Sequence, residues 1–301
     1  MGLVANIIVV DIRMENKVFV CCEEKIYRYM KEYIASFIDA LNWQLLLINI
    51  GYNEYNNDDM YVFIQTIPNI LLENPGKHMA IINTEQMTLE ENDARHLPLA
   101  NIKKILSDPT AYLNIKRFDY SIENIRLCND NMILLPYQYH INEITLLKKF
   151  IFETEKKYDV VFLGHLSPKR KKIYDDLVAK GINMLHVNGK WDNVRDQQIS
   201  SAKILLNVHC FDSYSIYESI RCDRWTFAGM MVISEKSIYC DMLDINKLVI
   251  FQDYNKLVDI VVNVVNNYDQ YYDKFMTEYQ SCLNNIINKR KITCDFNIFY
   301  I

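Results

Sequence analysis

Apolar positions in this chain fall into short continuous runs, VFVCC (Val18–Cys22), YVFI (Tyr61–Ile64), MAII (Met79–Ile82), VVFL (Val160–Leu163) and ILLNV (Ile204–Val208), each closed by polar or turn-forming residues. Such runs suit strands covered on both faces, and the stretches between them carry apolar residues at helical spacing. The alternation predicts parallel sheets with crossover helices, an α/β fold. In the first half it predicts strands over Lys17–Cys22, Trp43–Ile50, Met60–Thr66, His78–Asn83, Leu113–Phe118 and Met132–Leu135. Helices are expected over Ile26–Leu41 and Asp93–Leu106, with a short one capped by Ser121. A polar stretch without a clear period, Tyr137–Ile144, reads as a linker.

The second half opens with a strand at Tyr158, then a helix with Ser167 as cap and Pro168 in its first turn, ended by Gly181. A helix over Val194–Ala202, the strand Ile204–Val208, a helix carrying Glu218 and Arg221, and a further strand up to Glu235 follow. Leu248–Phe251 is the last expected strand, and Leu257–Asn288 a helical region broken near Asn266 and Asn267. At 301 residues the chain suits two domains. We place them at 1–140 and 141–301, with the C-terminal helices packing back on the first.

Composition narrows the classes. A net charge of −5, from 33 basic and 38 acidic residues, lacks a nucleic-acid footprint. No apolar run is long enough for an integral membrane segment. The start, MGLVANIIVVDIR, reads as a strand rather than a signal peptide, and Asn6 stands where N-myristoylation wants Ser or Thr. Eight scattered cysteines without a CxxC pair point to reduced thiols and a cytoplasmic setting, with no zinc site.

The candidate chemistry lies where strands end, since ligands of open α/β sheets bind outside the carboxyl ends of their strands. Gly164 and His165, followed by Lys169 and Arg170 at a helix start, offer backbone amides and cations to a diphosphate; a basic solvated helix face is the alternative. Lys171 and Lys172 read as surface. Asn207 and His209 close the strand Ile204–Val208, with His209 either a packed histidine or a donor to phosphate or sugar. Glu218 and Arg221, three apart, fit a ribose-binding carboxylate with a guanidinium beside it, or an ordinary intrahelical ion pair. Arg224 and Glu235 read as surface residues. In the first half, Glu85 after the strand His78–Asn83 is either a general base or a helix cap. Asp119, with Tyr120 and Asn124, forms a second polar cluster and is the reserve candidate for the base. Walker, GxGxxG, GxSxG, HExxH and DxD patterns are missing, so no metal site is expected.

Five segments taken together carry a resemblance: INTEQM (Ile82–Met87), FDYSIENI (Phe118–Ile125), ILLPYQY (Ile133–Tyr139), DVVFLGHLSPKRKKI (Asp159–Ile173), and KILLNVHCF with the Glu218–Arg221 helix and VISE (Val232–Glu235). In this order they resemble GT-B glycosyltransferases, in particular the group 1-like proteins of bacterial surface-polysaccharide clusters and of giant viruses. The resemblance implies two Rossmann-like domains facing each other across a cleft, the first binding an acceptor and the second a nucleotide sugar. It further implies a metal-independent transfer without a cofactor, Gly164 and Arg170 at the diphosphate, Glu218 at the ribose, and a glycan or glycoconjugate as acceptor. Many retaining members carry two glutamates separated by seven residues; here the positions eight before and after Glu218 are Cys210 and Thr226, which leaves the stereochemistry open. A non-hydrolysing nucleotide-sugar epimerase and a nucleotide-sugar-binding protein without turnover fit the same residues.

Overall fold

A computed structural model of the chain describes residues 17–48, 59–68, 71, 79–87, 115–128 and 132–291. The expected helix Asp93–Leu106 and the N-terminal run before Lys17 lie outside them. The first half holds β1 (Val18–Glu23), α1 (Glu24–Leu41), β2 (Gln44–Ile48), β3 (Met60–Ile64), β4 (Met79–Asn83), β5 (Ile115–Asp119), α2 (Ile122–Cys128) and β6 (Ile133–Leu134). Its strands form one sheet in the order β2-β1-β3-β4-β5-β6, every pair parallel.

After α3 (Ile141–Glu153) come β7 (Tyr158–Leu163), α4 (Pro168–Ala179), β8 (Met184–Val187), α5 (Asp192–Ser200), β9 (Ala202–Asn207), α6 (Ser219–Phe227), β10 (Met231–Glu235), β11 (Val249–Gln252), α7 (Leu257–Asn266) and α8 (Tyr268–Arg290). The second sheet, in the order β11-β10-β9-β7-β8, is again wholly parallel. Two Rossmann-like parallel sheets are thus present, as expected.

Each sheet has one point where the chain reverses its direction of growth. From β7 it steps outward to β8, then returns to β9 on the other side, so the ends of β7 and β9 flank a crevice. In the first sheet the same step from β2 back to β3 puts the reversal between β1 and β3. Gln65 at the end of β3 leaves the strand with φ +64°.

Several boundaries differ from the sequence reading, each for a packing reason. Tyr137 is not solvated linker: it is fully buried, its hydroxyl donating to Glu143, and helix α3 already begins at Ile141. Ala202 opens β9 instead of ending a helix. Glu218 is the N-cap of α6, one residue before the helix it was expected to lie in. Arg224 and Glu235, read as surface residues, are buried. The Arg224 guanidinium meets Asp196 of α5 at 3.0 and 2.8 Å and Glu143 of α3 at 2.6 Å, three helices tied by one fork of donors. Periodicity marks Arg224 as polar; only the packing of α6 between neighbouring helices shows that it points inward. The break in the C-terminal helical region falls at Asn267, as expected.

Candidate functional site

The first wall of the site is built on β4. At its end the Asn83 side chain folds over the next residues: Nδ2 donates to the Glu85 carbonyl at 2.9 Å, and Oδ1 accepts from the Glu85 amide at 3.0 Å. Asn124 of α2 donates to the same carbonyl at 2.8 Å and accepts from the Met87 amide at 3.0 Å. Gln65 then donates to Thr84 Oγ1 at 2.5 Å and to Glu85 Oε1 at 3.0 Å. Backbone and carboxylate of Glu85 are therefore both fixed. Burial, and next the charge of Glu218, push the Glu85 carboxyl up to about 7, against the hydrogen bond from Gln65. The segment that Glu85 would cap as a helix end lies outside the described residues.

Asp119 takes a different place from the one expected. It is fully buried and surrounded by donors: Asn83 at 2.6 Å, the Ser121 amide at 2.7 Å, and Asn124 at 3.2 Å to both oxygens. Burial still raises its carboxyl to about 7. Without a path to a substrate proton, Asp119 orients the two asparagines that hold Glu85 and is a positioning residue. The register that pairs Asn83 with Asp119 sets this up.

The second wall stands on β7, β9 and α6. Gly164 ends β7 with φ +102°, a conformation that side-chain-bearing residues rarely adopt, and Arg221 lies against it. Arg221 is half-buried, its Nη2 3.9 Å from the Glu218 carboxylate. Behind it Arg170 is buried, donating from Nε to the Val208 carbonyl at 2.7 Å and from Nη1 to the His165 carbonyl at 3.1 Å. Arg170 thereby ties the ends of β7 and β9 together across the crevice. Burial, and next the nearby charge of Arg221, hold the Arg170 pKa below its ordinary value. Two guanidiniums with few carboxylates between them form a local positive field suited to an anion.

The remaining candidates divide. His165 is exposed at the rim. Lys169 is held by Glu235 at 2.7 Å and Asp212 at 3.1 Å and lies over the Tyr254 ring, while the other Glu235 oxygen accepts from the His209 amide at 2.9 Å. His209 is buried, which holds its imidazole below the ordinary pKa, and its Nε2 has no partner. Asn207, the last residue of β9, is buried and donates to Ser234 at 3.0 Å, with its Oδ1 left without a partner.

Between the walls lies a cleft of about 280 Å³, lined from the first half by Tyr29, Tyr33, Thr84 and Tyr120 and from the second by Gly164, Glu218 and Arg221. The loop Val187–Gly189 and Trp191 after β8 close one end. Sequence reading missed Trp191, although a tryptophan just past a strand end was a visible signal. It missed Gln86 and Glu123 as well. Gln86 donates across the cleft to Glu218 at 2.7 Å. Glu123, fully buried, accepts from the Tyr217 amide at 2.7 Å and the Tyr239 amide at 3.2 Å, so α2 grips the loop that presents Glu218.

Among the described residues there is no group of three or more His, Cys, Asp or Glu arranged for a metal ion, and no helix long and apolar enough to cross a membrane. The described cysteines are free thiols.

Comparison with solved structures identifies the architecture. A DNA-modifying enzyme, β-glucosyltransferase, solved in the presence and absence of its substrate uridine diphosphoglucose, aligns with a TM-score of 0.52 at 13% identity over 91% of this chain and 96% of that one. T4 phage BGT in complex with UDP and Mn²⁺ gives 0.51 at 14% identity over the same shares. At this identity the likeness establishes the fold, GT-B. No protein-family model matches the chain. Among curated proteins, uncharacterized proteins L137 and L138 of Acanthamoeba polyphaga mimivirus are 39% and 37% identical over 259 and 270 residues, each match covering 83% of this chain. The chain spans about a third of their length, 33% and 29%. Uncharacterized protein L140 of the same virus is 37% identical over 248 residues, 80% of this chain and 77% of that protein. This GT-B chain belongs to the same family as mimivirus protein L140.

Proposed function

We propose that the chain is a glycosyltransferase that takes its sugar from a nucleoside-diphosphate donor and passes it to a hydroxyl of a glycan or glycoconjugate. The observation that carries this reading is the cleft and its surroundings: Glu218 and Arg221 line it, the fixed carboxylate of Glu85, with its pKa near neutrality, lies close enough to feel the charge of Glu218, and Arg170 stands buried behind Arg221. A base poised near pH 7 and cations placed for a departing diphosphate are what hydroxyl attack on an anomeric carbon needs.

In this mechanism Glu85 accepts the proton of the acceptor hydroxyl as its oxygen bonds to the anomeric carbon and the bond from that carbon to the diphosphate oxygen breaks. The released charge lies next to Arg221, with Arg170 behind it. Glu218 accepts from ribose hydroxyls while Gln86 holds its orientation. The amides at Asn188 and Gly189, with Trp191, serve the base. Lys169 and Glu235 brace the loop after β9. The guanidiniums of Arg221 and Arg170 supply the positive charge, so the reaction is read as metal-independent and without a cofactor.

The test is incubation with UDP-, GDP- and dTDP-sugars, with and without EDTA, following released nucleoside diphosphate and the fate of the sugar. The expected result is slow hydrolysis or transfer from one donor that survives chelation. An isomerised sugar with no nucleotide release would make the chain an epimerase, and stabilising binding without turnover a binding protein. Abolition by EDTA with recovery on adding manganese would overturn the metal-free part alone.

A second test bears on the phosphate site. Arg221→Ala should weaken nucleoside diphosphate by about 10- to 100-fold, the range for a lost charged hydrogen bond, and leave the bare nucleoside within about threefold. Equal losses for both ligands would remove Arg221 from the diphosphate.

A further inference from the structure

A larger cavity, about 720 Å³, lies outside the candidate site, within the size range of sites for small molecules. It is bounded by the ends of β5 and β6, by α6, by the loop after β10 and by the last turns of α8. Tyr120 lines both this cavity and the cleft, and Ser219 borders the cavity while its neighbour Glu218 borders the cleft. The two spaces are therefore adjacent, separated by one aromatic ring and the start of α6.

The chemistry of its walls selects a class of ligand. In the wall, Tyr217 and Asp223 are buried against each other, and Ser219 Oγ is buried without a hydrogen-bond partner. The fixed charge is already compensated. Arg290 meets Asp223 at 2.6 Å and Asp244 at 2.5 and 2.7 Å, which uses the guanidinium. At the mouth stand the exposed amide of Asn285, the exposed Asn246, whose Nδ2 donates to the Asp241 carbonyl at 3.0 Å and whose Oδ1 can still accept, and the ammonium groups of Lys247 and Lys289. Leu134, Pro136 and Ile286 add apolar surface on which the C–H face of a ring can rest. Amides at the mouth of an apolar floor can meet ligand hydroxyls while the floor buries the carbon skeleton.

We propose that this cavity is a saccharide-binding pocket, taking one uncharged sugar unit apart from the nucleotide cleft. The assignment does not rest on the transfer reading; if that reading holds, the pocket's place beside Tyr120 makes its sugar part of the acceptor. Saturation-transfer NMR on the full chain with the methyl glycosides of glucose, galactose, mannose and N-acetylglucosamine tests it, each with and without excess UDP. At least one glycoside is expected to receive saturation and to keep it when UDP is added. Asn285→Trp, a change at an exposed position that fills the mouth, should weaken that glycoside at least tenfold without lowering the melting temperature. Asn285→Ala should weaken it about three- to tenfold, as for one neutral hydrogen bond. No saturation of any glycoside, displacement by UDP, or unchanged binding in Asn285→Trp would each overturn the proposal. Loss of transferase activity with glycoside binding intact would instead count against the reading of the cleft.

Discussion

Glu85→Gln is expected to lower the rate of sugar transfer by about 10²- to 10⁴-fold, the usual contribution of a placed general base, with nucleoside diphosphate still bound. In the unaltered protein kcat/KM should fall about tenfold per pH unit below about 7, where the Glu85 carboxyl becomes protonated. The same substitution should act on stability in the opposite sense. Burial and the Glu218 charge raise this carboxyl from an ordinary 4.5 to about 7, so the folded state holds the proton more tightly than the unfolded chain. The stabilisation from the bound proton is complete below about 4.5 and is lost as pH rises through about 7. Glu85→Gln should therefore be more stable than the parent at pH 8, by on the order of 2 kcal/mol, with the difference shrinking toward pH 4.5. Urea unfolding at the two pH values measures the gap. An activity and a stability profile indifferent to the substitution would remove Glu85 from the chemistry.

Arg290→Ala is expected to produce the largest loss of stability, about 3–5 kcal/mol, because it strands a buried carboxylate. Asp223 is fully buried and, by burial, already raised to about 6 even with Arg290 2.6 Å away. The same guanidinium donates to the Tyr137 carbonyl at 3.0 Å, where the chain passes from one sheet toward the other. Such a loss is a large part of the 5–15 kcal/mol that holds a typical domain together. Adding Asp223→Asn to Arg290→Ala should recover part of it, since the amide carries no charge to strand. Denaturation midpoints of the single and double variants decide the matter; a single-variant loss under about 1 kcal/mol would mean that water reaches Asp223 freely.

Continuous apolar runs located β1, β3, β4, β7, β9 and β10 to within a few residues, because strands buried on both faces leave little room for polar residues except at their ends; β5, with Lys116 and Arg117 in its middle, and the exposed β6 do not follow that rule. The same rule put Gly164 and Glu218 at strand and helix ends, and the fold brings both to the lining of the cleft. Roles that depend on direction were not legible. Arg224 and Glu235 look alike in sequence to surface charges, and Asp119 looks alike to a solvent-facing base; which way each points is decided by a neighbour far along the chain. Gln65 is the instructive case: its left-handed backbone turns a residue at the end of an apolar run toward Glu85. Cross-domain partners such as Gln86 with Glu218, 132 positions apart, leave no local trace.

The Arg290 clasp has a consequence for synthesis. Its partners Tyr137, Asp223 and Asp244 precede it by 153, 67 and 46 positions. At about 5–20 residues per second, a ribosome leaves Asp244 waiting roughly 2–9 s for its cation. During that interval a nascent chain can form both sheets while Asp223, without its counter-charge, resists burial. The junction between the halves therefore closes late, and a chaperone that shields the face of α6 would act in that window of seconds, before the last turn of α8 arrives.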